Sequence, residues 1–233
     1  MDSFSKNATV VLVHGAWADG SSWNLVVLPL LHDGLKVVCA PIPLTSLSDD
    51  IAALDRVLER IEGPILLAGH AYAGAVIAGT KSERVRSLVY IAALAPEEGE
   101  TVATVFYREV PHPQAPHLQP DAHGFIWMPD EGFENSFAQN ASKDQQTISA
   151  AGQRPISVRC IQEPAPRPAW KSKPSWFLIA SQDRMINPKT QQFMAERMAA
   201  KVHVREVDHI PLLTAPEVVV EIIREAAGDT LRS

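Results

Sequence analysis

Cysteine is scarce: Cys39 and Cys160 are the whole supply among 233 residues. One falls in a strand-like run and the other in a separate proline-rich stretch, so no disulfide framework is expected and both read as buried thiols. Long apolar runs are missing too. The longest, such as Leu88 to Ala95, stop far short of the roughly 20 residues that span a bilayer. Met1 to Asn7 carries no signal-peptide pattern, which gives a cytoplasmic expectation. Like charges do not cluster beyond a pair or two. With 21% charged residues and a formal net charge of −6, nothing points to nucleic acid or an anionic membrane as a partner. Internal repeats and low-complexity tracts are absent as well, apart from a short polar tail at Asp229 to Ser233.

What is present is an ordinary globular composition, 46% hydrophobic, in a length that suits one large α/β core with an insertion. Apolar strand-like runs alternate with helical patterns from Ala8 to Leu94, the order of a parallel sheet covered on both faces. Thr9 to Val13 is the first predicted strand, Trp23 to Leu31 a helix, and Lys36 to Ala40 the second strand. Ser48 is placed as the cap of the next helix, with Asp49 and Asp50 in its first turn and Ile51, Leu54, Leu58 and Ile61 on one face. Ile65 to Ala68 and Leu88 to Ala93 supply two more strands. The pattern then breaks at Pro96 and resumes near Trp176, followed by a helix opened by Asn187-Pro188 and a last strand at Val202 to Val207. Thr214 and Glu217 form a capping-box pair for the final helix, and Gly228 marks its end. The expected division is a core of 1–95 and 174–233 with a cap insertion of 96–173.

The stretch Gly69-His70-Ala71-Tyr72-Ala73-Gly74 lies between a strand and a helix, where a tight turn lifts one side chain out of the sheet. Ala71 occupies the lifted position. Three further segments fall at carboxyl ends of strands, where open α/β sheets place their sites: His14-Gly15-Ala16-Trp17, Ser181-Gln182-Asp183 and Asp208-His209-Ile210-Pro211. Their chain order is nucleophile position, acid, histidine. A hydroxyl nucleophile needs an imidazole to take its proton and a carboxylate to orient that imidazole, roles that suit His209 and Asp183. Main-chain N–H groups of Ala16 and Tyr72 would form the oxyanion hole.

With its opening V-L-V-H-G-A-W, its elbow, Q-D-R-M-I-N-P and D-H-I-P, the chain resembles the α/β-hydrolase superfamily from about Val10 to Ala226. The resemblance implies a mostly parallel sheet of about six strands, helices on both faces and an inserted cap. It also implies a cofactor-free serine esterase whose catalytic positions are Ala71, Asp183 and His209. The family carries serine where this chain has Ala71, and the alanine is read as a serine-to-alanine replacement that stops turnover. The expected substrate is a small, fairly apolar carboxylic ester. Two alternatives stay open: carbon–carbon cleavage or lyase chemistry on the same residues, and a non-catalytic ligand-binding protein.

Trp17 and Trp127 are the candidate substrate-binding residues, because such pockets are largely apolar. Trp23 is assigned to helix core, His14 to shaping its turn and His70 to packing. Phe125-Ile126-Trp127-Met128 is assigned to packing the cap on the core. His112, His117 and His123 lack the compact spacing of a zinc site, so no metal is expected. The charge pattern leaves a homodimer open.

Overall fold

A strand that is apolar at every position needs cover on both faces. In the computed structural model, which describes residues 4–232, the first such run is β1 (Thr9–Val13), with all five residues buried. A 3₁₀ turn at Gly20–Trp23 leads to α1 (Asn24–His32), β2 (Lys36–Ala40), α2 (Leu47–Glu59), β3 (Ile65–His70), α3 (Ala73–Ala78) and β4 (Val85–Ile91). The segment that follows holds α4 (Val102–Phe106), β5 (Phe125–Ile126), α5 (Asp130–Gly132), a π turn at Phe133–Phe137, α6 (Lys143–Ala151), β6 (Ile156–Ser157) and α7 (Val158–Gln162). The chain ends with β7 (Ser175–Ala180), α8 (Pro188–Arg197), β8 (Lys201–Arg205), α9 (Pro211–Thr214) and α10 (Pro216–Thr230).

Six strands form one parallel sheet, the number and direction expected, in the order β2-β1-β3-β4-β7-β8, and β5 and β6 pair separately as a short antiparallel ribbon. Alternate residues of each strand feed two cores. Val11, Leu67, Tyr90 and Phe177 pack with α2, α3 and α8, whereas Leu12, Leu66, Val89 and Trp176 pack with α1 and α10. β1 is flanked by β2 and β3, so the chain reverses direction across the sheet there. The loops after β1 and β3 thus meet at a topological switch point, which positions the site. Among the described residues, no helix is long and apolar enough to cross a membrane.

Local details depart from the sequence reading for identifiable reasons. Trp23 closes the 3₁₀ turn, whose first N–H groups are capped by Asp19, and α1 starts one residue later. Ser46, not Ser48, caps α2 by accepting from Asp49 N; the Ser48 amide and hydroxyl bind the Glu163 carboxylate instead. Thr214 ends α9 and donates its hydroxyl to Asp208, so no capping box with Glu217 forms, and α10 runs through Gly228 to Thr230. The fourth strand begins earlier, at Val85, and the last ends at Arg205. The inserted segment is not irregular throughout, since it contains the short helices and the β5–β6 pair above. Cys160 is a buried free thiol, while Cys39 is only half-buried.

Two glycines let α3 sit close to the sheet. A Cβ on Gly69 would lie 2.8 Å from Ala73 O, and one on Gly74 would collide with Leu94 O and stand 2.9 Å from Ala93 Cβ. The obstacles at Gly74 include main chain, which cannot swing aside. Gly74→Ala should therefore destabilise the fold, although alanine is favoured in helices by about 1 kcal/mol, because overpacking costs about 1–3 kcal/mol. We expect thermal unfolding to show a Tm lowered by several degrees; an unchanged or raised Tm would contradict this packing.

Candidate active site

The elbow joins β3 to α3 through Ala71, whose φ of 52° lies in the left-handed region that non-glycine residues seldom adopt. Its surroundings fix that conformation. Ala71 N–H donates to Ile91 O at 3.2 Å, and its carbonyl accepts from Gly74 N at 3.1 Å and Leu94 N at 2.9 Å. Gly15, in the loop after β1, lies so close that a Cβ there would be 3.0 Å from His70 O and 3.1 Å from Ala71 Cβ. The two loops are in direct contact as a result.

Asp183 and His209 meet from the ends of β7 and β8. The His209 Nδ1–H donates to Asp183 Oδ2 at 2.9 Å, with both side chains buried. Asp183 also accepts from Met185 N at 2.7 Å, Ile186 N at 2.9 Å and Gln191 Nε2 at 2.8 Å. Gln191 completes its own bonding by donating to Ile186 O and accepting from Ala180 N. Burial of this carboxylate is thus compensated by four hydrogen-bond donors. The His209 loop is tied down on two sides. Asp208 accepts from Thr214 and from Asn140 N of the inserted segment, and burial pushes its carboxyl pKa up. His70 Nε2–H donates to His209 O at 2.7 Å, and Phe137 packs edge-on against the His209 ring with centroids 5.2 Å apart.

Ala71, Ala16, Tyr72 and His209 together line a cavity of about 210 Å³. The rest of its wall is mostly apolar, including Leu94, Val102, Phe106 and Ile186, with Gln162 as a polar member, and among the described residues no Asp, Glu, Lys or Arg side chain borders it. Among the described residues, the main-chain N–H groups of Ala16 and Tyr72 make no hydrogen bond. Tyr72 is pinned by its hydroxyl, which donates to the buried Asp50 at 2.6 Å; burial pushes the tyrosine pKa well up. Asp50 in turn accepts from Leu44 N at 2.7 Å and from the Cys160 thiol.

Trp17 lines the cavity as expected. Trp127 does not: it is 50% exposed, and its Nε1–H donates to Asp121 on the surface. The extended chain alternates through β5 and just beyond it, so Ile126 and Met128 turn inward and Trp127 between them turns out. His14 donates from Nδ1 to Gly15 O in its own turn and accepts at Nε2 from Ile42 N in the loop after β2, and His70 is fully buried. His112, His117 and His123 are exposed on the inserted segment. Gln191, Phe137 and Asp50 were not singled out as site residues in the sequence. Asp50 appeared there only as a first-turn acid, and for Gln191 no spacing signal exists.

Burial, with the neighbouring His209 adding to it, lowers the His70 pKa from 6.5 to about 3. The unfolded chain therefore gains a proton below pH 6.5 that the folded chain refuses, and stability falls as pH drops from there toward 3. Between pH 7 and 5, His70→Gln should lose about 2 kcal/mol less stability than the parent. Denaturant unfolding at both pH values checks this; equal losses would show that His70 takes up a proton in the fold.

Comparison with known proteins places this geometry in context. The profile of the Alpha/beta hydrolase family matches residues 10–222. The Alpha/beta hydrolase nvfD of Aspergillus novofumigatus (strain IBT 16806) is 23% identical over 95% of this chain and 97% of its own length. A carbendazim hydrolyzing esterase of Nocardioides sp. (strain SG-4G) is 29% identical over 45% of this chain and 49% of its own. A pyrethroid hydrolase from Sphingobium faniae JZ-2 superimposes with a TM-score of 0.83 at 21% identity, covering 95% of this chain and 97% of that one. Tomato methylketone synthase I, in a variant complexed with beta-ketoheptanoate, gives 0.82 at 16% identity, covering 97% and 99%. Such structural likenesses are likenesses of fold. With the family profile spanning most of the sequence, the chain belongs to the α/β-hydrolase family.

Proposed function

We propose that this chain carries the site of a serine-type hydrolase of small, fairly apolar carboxylic esters, with Ala71 at the nucleophile position, and that it binds such esters without turning them over. The observation that supports this best is the buried His209–Asp183 pair beside an elbow whose lifted residue lines the same cavity. In the proposed reaction a hydroxyl at position 71 attacks the ester carbonyl while His209 Nε2 takes its proton, Nδ1 being held protonated by Asp183. The N–H groups of Ala16 and Tyr72 stabilise the oxyanion. His209 returns the proton to the leaving alcohol, and water then releases the acid by the same steps in reverse. The cavity wall, without charged groups, favours an uncharged substrate. The esterase and pyrethroid hydrolase among the similar proteins are consistent with this chemistry.

A second reading draws on Ala71 itself. His209 oriented by Asp183 can move a proton without any covalent intermediate, as lyase or carbon–carbon cleavage chemistry requires. The methylketone synthase complexed with a β-keto acid shares the fold.

Ala71→Ser decides between these. Removing the serine of a triad costs on the order of 10⁶ in kcat, so restoring it should raise aryl-ester hydrolysis at least about 10³-fold, with an initial burst. The gain should vanish on adding His209→Ala. Product release followed by absorbance, with product identity from mass spectrometry, provides the measurement. No gain with any ester would defeat the hydrolase reading. Carbon–carbon cleavage products from the unaltered chain would establish the second.

A further inference from the structure

Asp50 is fully buried in the first turn of α2, and both of its oxygens bond outside that helix. Oδ1 accepts from Leu44 N at 2.7 Å, and Oδ2 accepts from the Tyr72 hydroxyl at 2.6 Å and from the Cys160 thiol at 3.5 Å. Among the described residues, no Lys, Arg or His side chain bonds this carboxylate. A buried carboxylate served only by neutral donors is costly, and an apolar residue would fill the same space at lower cost.

The two oxygens reach two sides of the cavity. Tyr72 carries the main-chain N–H assigned above to the oxyanion, and among the described residues that N–H has no partner. The peptide plane bearing it is gripped at its Ala71 end, where the Ala71 carbonyl accepts from Gly74 N and Leu94 N. At the Tyr72 end the grips are the bond from Ala75 N to Tyr72 O, at 3.0 Å, and the rigid ring tied through its hydroxyl to Asp50. On the other side Leu44 has a φ of 60°, and its carbonyl accepts from Ser157 N at 3.0 Å. Ser157 lies between Ile156 and Val158, which both line the cavity. One carboxylate therefore ties the oxyanion donor and a wall of the inserted segment to the same point.

We propose that Asp50 is a positioning residue: through the Tyr72 hydroxyl it sets the Tyr72 N–H against the developing oxyanion of an ester seated on the wall formed by Ile156 and Val158. This deepens the hydrolytic reading above and rests on it. Asp50 does not border the cavity, so it acts through the backbone of another residue. Donors of this kind draw their strength from fixed geometry, and a shift of about 1 Å can cost on the order of 10²-fold in rate.

The test compares Ala71→Ser alone with the same chain carrying Tyr72→Phe or Asp50→Asn, in stopped-flow hydrolysis of an aryl butyrate. Burst amplitude counts working sites, so rates are taken per site and a variant that merely folds less well loses amplitude only. We expect the burst rate constant and the steady-state turnover per site to fall about tenfold in each variant, less than the roughly 10²–10³-fold that removal of a whole donor costs. KM should stay within about twofold, because the donor acts mainly on the transition state. An unchanged per-site rate in either variant, or a rise in KM with kcat kept, overturns the proposal. A second measurement needs no hydrolysis. Butyrate, whose carboxylate oxygen stands in for the oxyanion, is titrated into the unaltered chain and into Tyr72→Phe, and the amide of residue 72 is followed by NMR. The butyrate-induced shift of that amide should shrink in Tyr72→Phe while that of Ala16 is kept. Equal shifts in both chains, or none in the unaltered chain, overturn the proposal. Should Ala71→Ser hydrolyse no ester while the amide responds as expected, the hydrolytic reading fails and the positioning role stands. Should it hydrolyse esters while per-site rates and amide shifts stay fixed, only the role of Asp50 falls.

Discussion

The left-handed turn at Ala71 is the constraint around which the site is organised. An L-residue in this conformation costs on the order of 1–2 kcal/mol, and the chain holds it there with three hydrogen bonds, one to α3 and two to the end of β4 and the residues just after it. The turn also requires β3 and α3 to approach so closely that side chains at 69 and 74 would meet main chain. The missing side chain at Gly15 is what allows the loop after β1 to rest on the elbow, and Ala16 and Tyr72, beside that contact, line the same cavity. The strained residue thus sits where two loops meet.

A second layer of constraint is electrostatic. Every buried acid near the site is saturated with donors. Asp183 takes them from two amides, Gln191 and His209; Asp50 takes them from Tyr72, Leu44 and Cys160; Asp208 takes them from Thr214 and Asn140. None of these carboxylates borders the cavity, whose lining is apolar apart from a few groups such as His209 and Gln162. The molecule keeps these carboxylates behind the wall, where they orient other residues, and leaves the cavity a largely apolar surface. Because Asp50 joins α2, the elbow and α7, the inserted segment and the Tyr72 backbone share one anchor.

The sheet was legible because strands apolar on both faces have few other interpretations, and the four loops could be placed because they follow those strands. Ala71, His209, Ala16, Tyr72 and Trp17 line one cavity, with Asp183 bonded behind His209, as that logic placed them. Helix caps were less legible. Ser46 and Ser48 are chemically alike, and only the position of Glu163 on a distant helix draws Ser48 away. Thr214 similarly prefers the Asp208 carboxylate to its own helix. Trp127 was misplaced because a two-residue strand shows no period in the sequence, although its alternation decides which ring faces inward. Gln191 is visible only in three dimensions, where α8 turns it back under Asp183.

His70 links the elbow strand to the main chain of His209 by a hydrogen bond in which the side chain of residue 71 takes no part. The spacing between the elbow and the His209 loop is therefore set without the side chain of residue 71. Under the proposed function, a change at that side chain would alter the chemistry and leave this brace in place, so that reactivity and architecture are separable at residue 71.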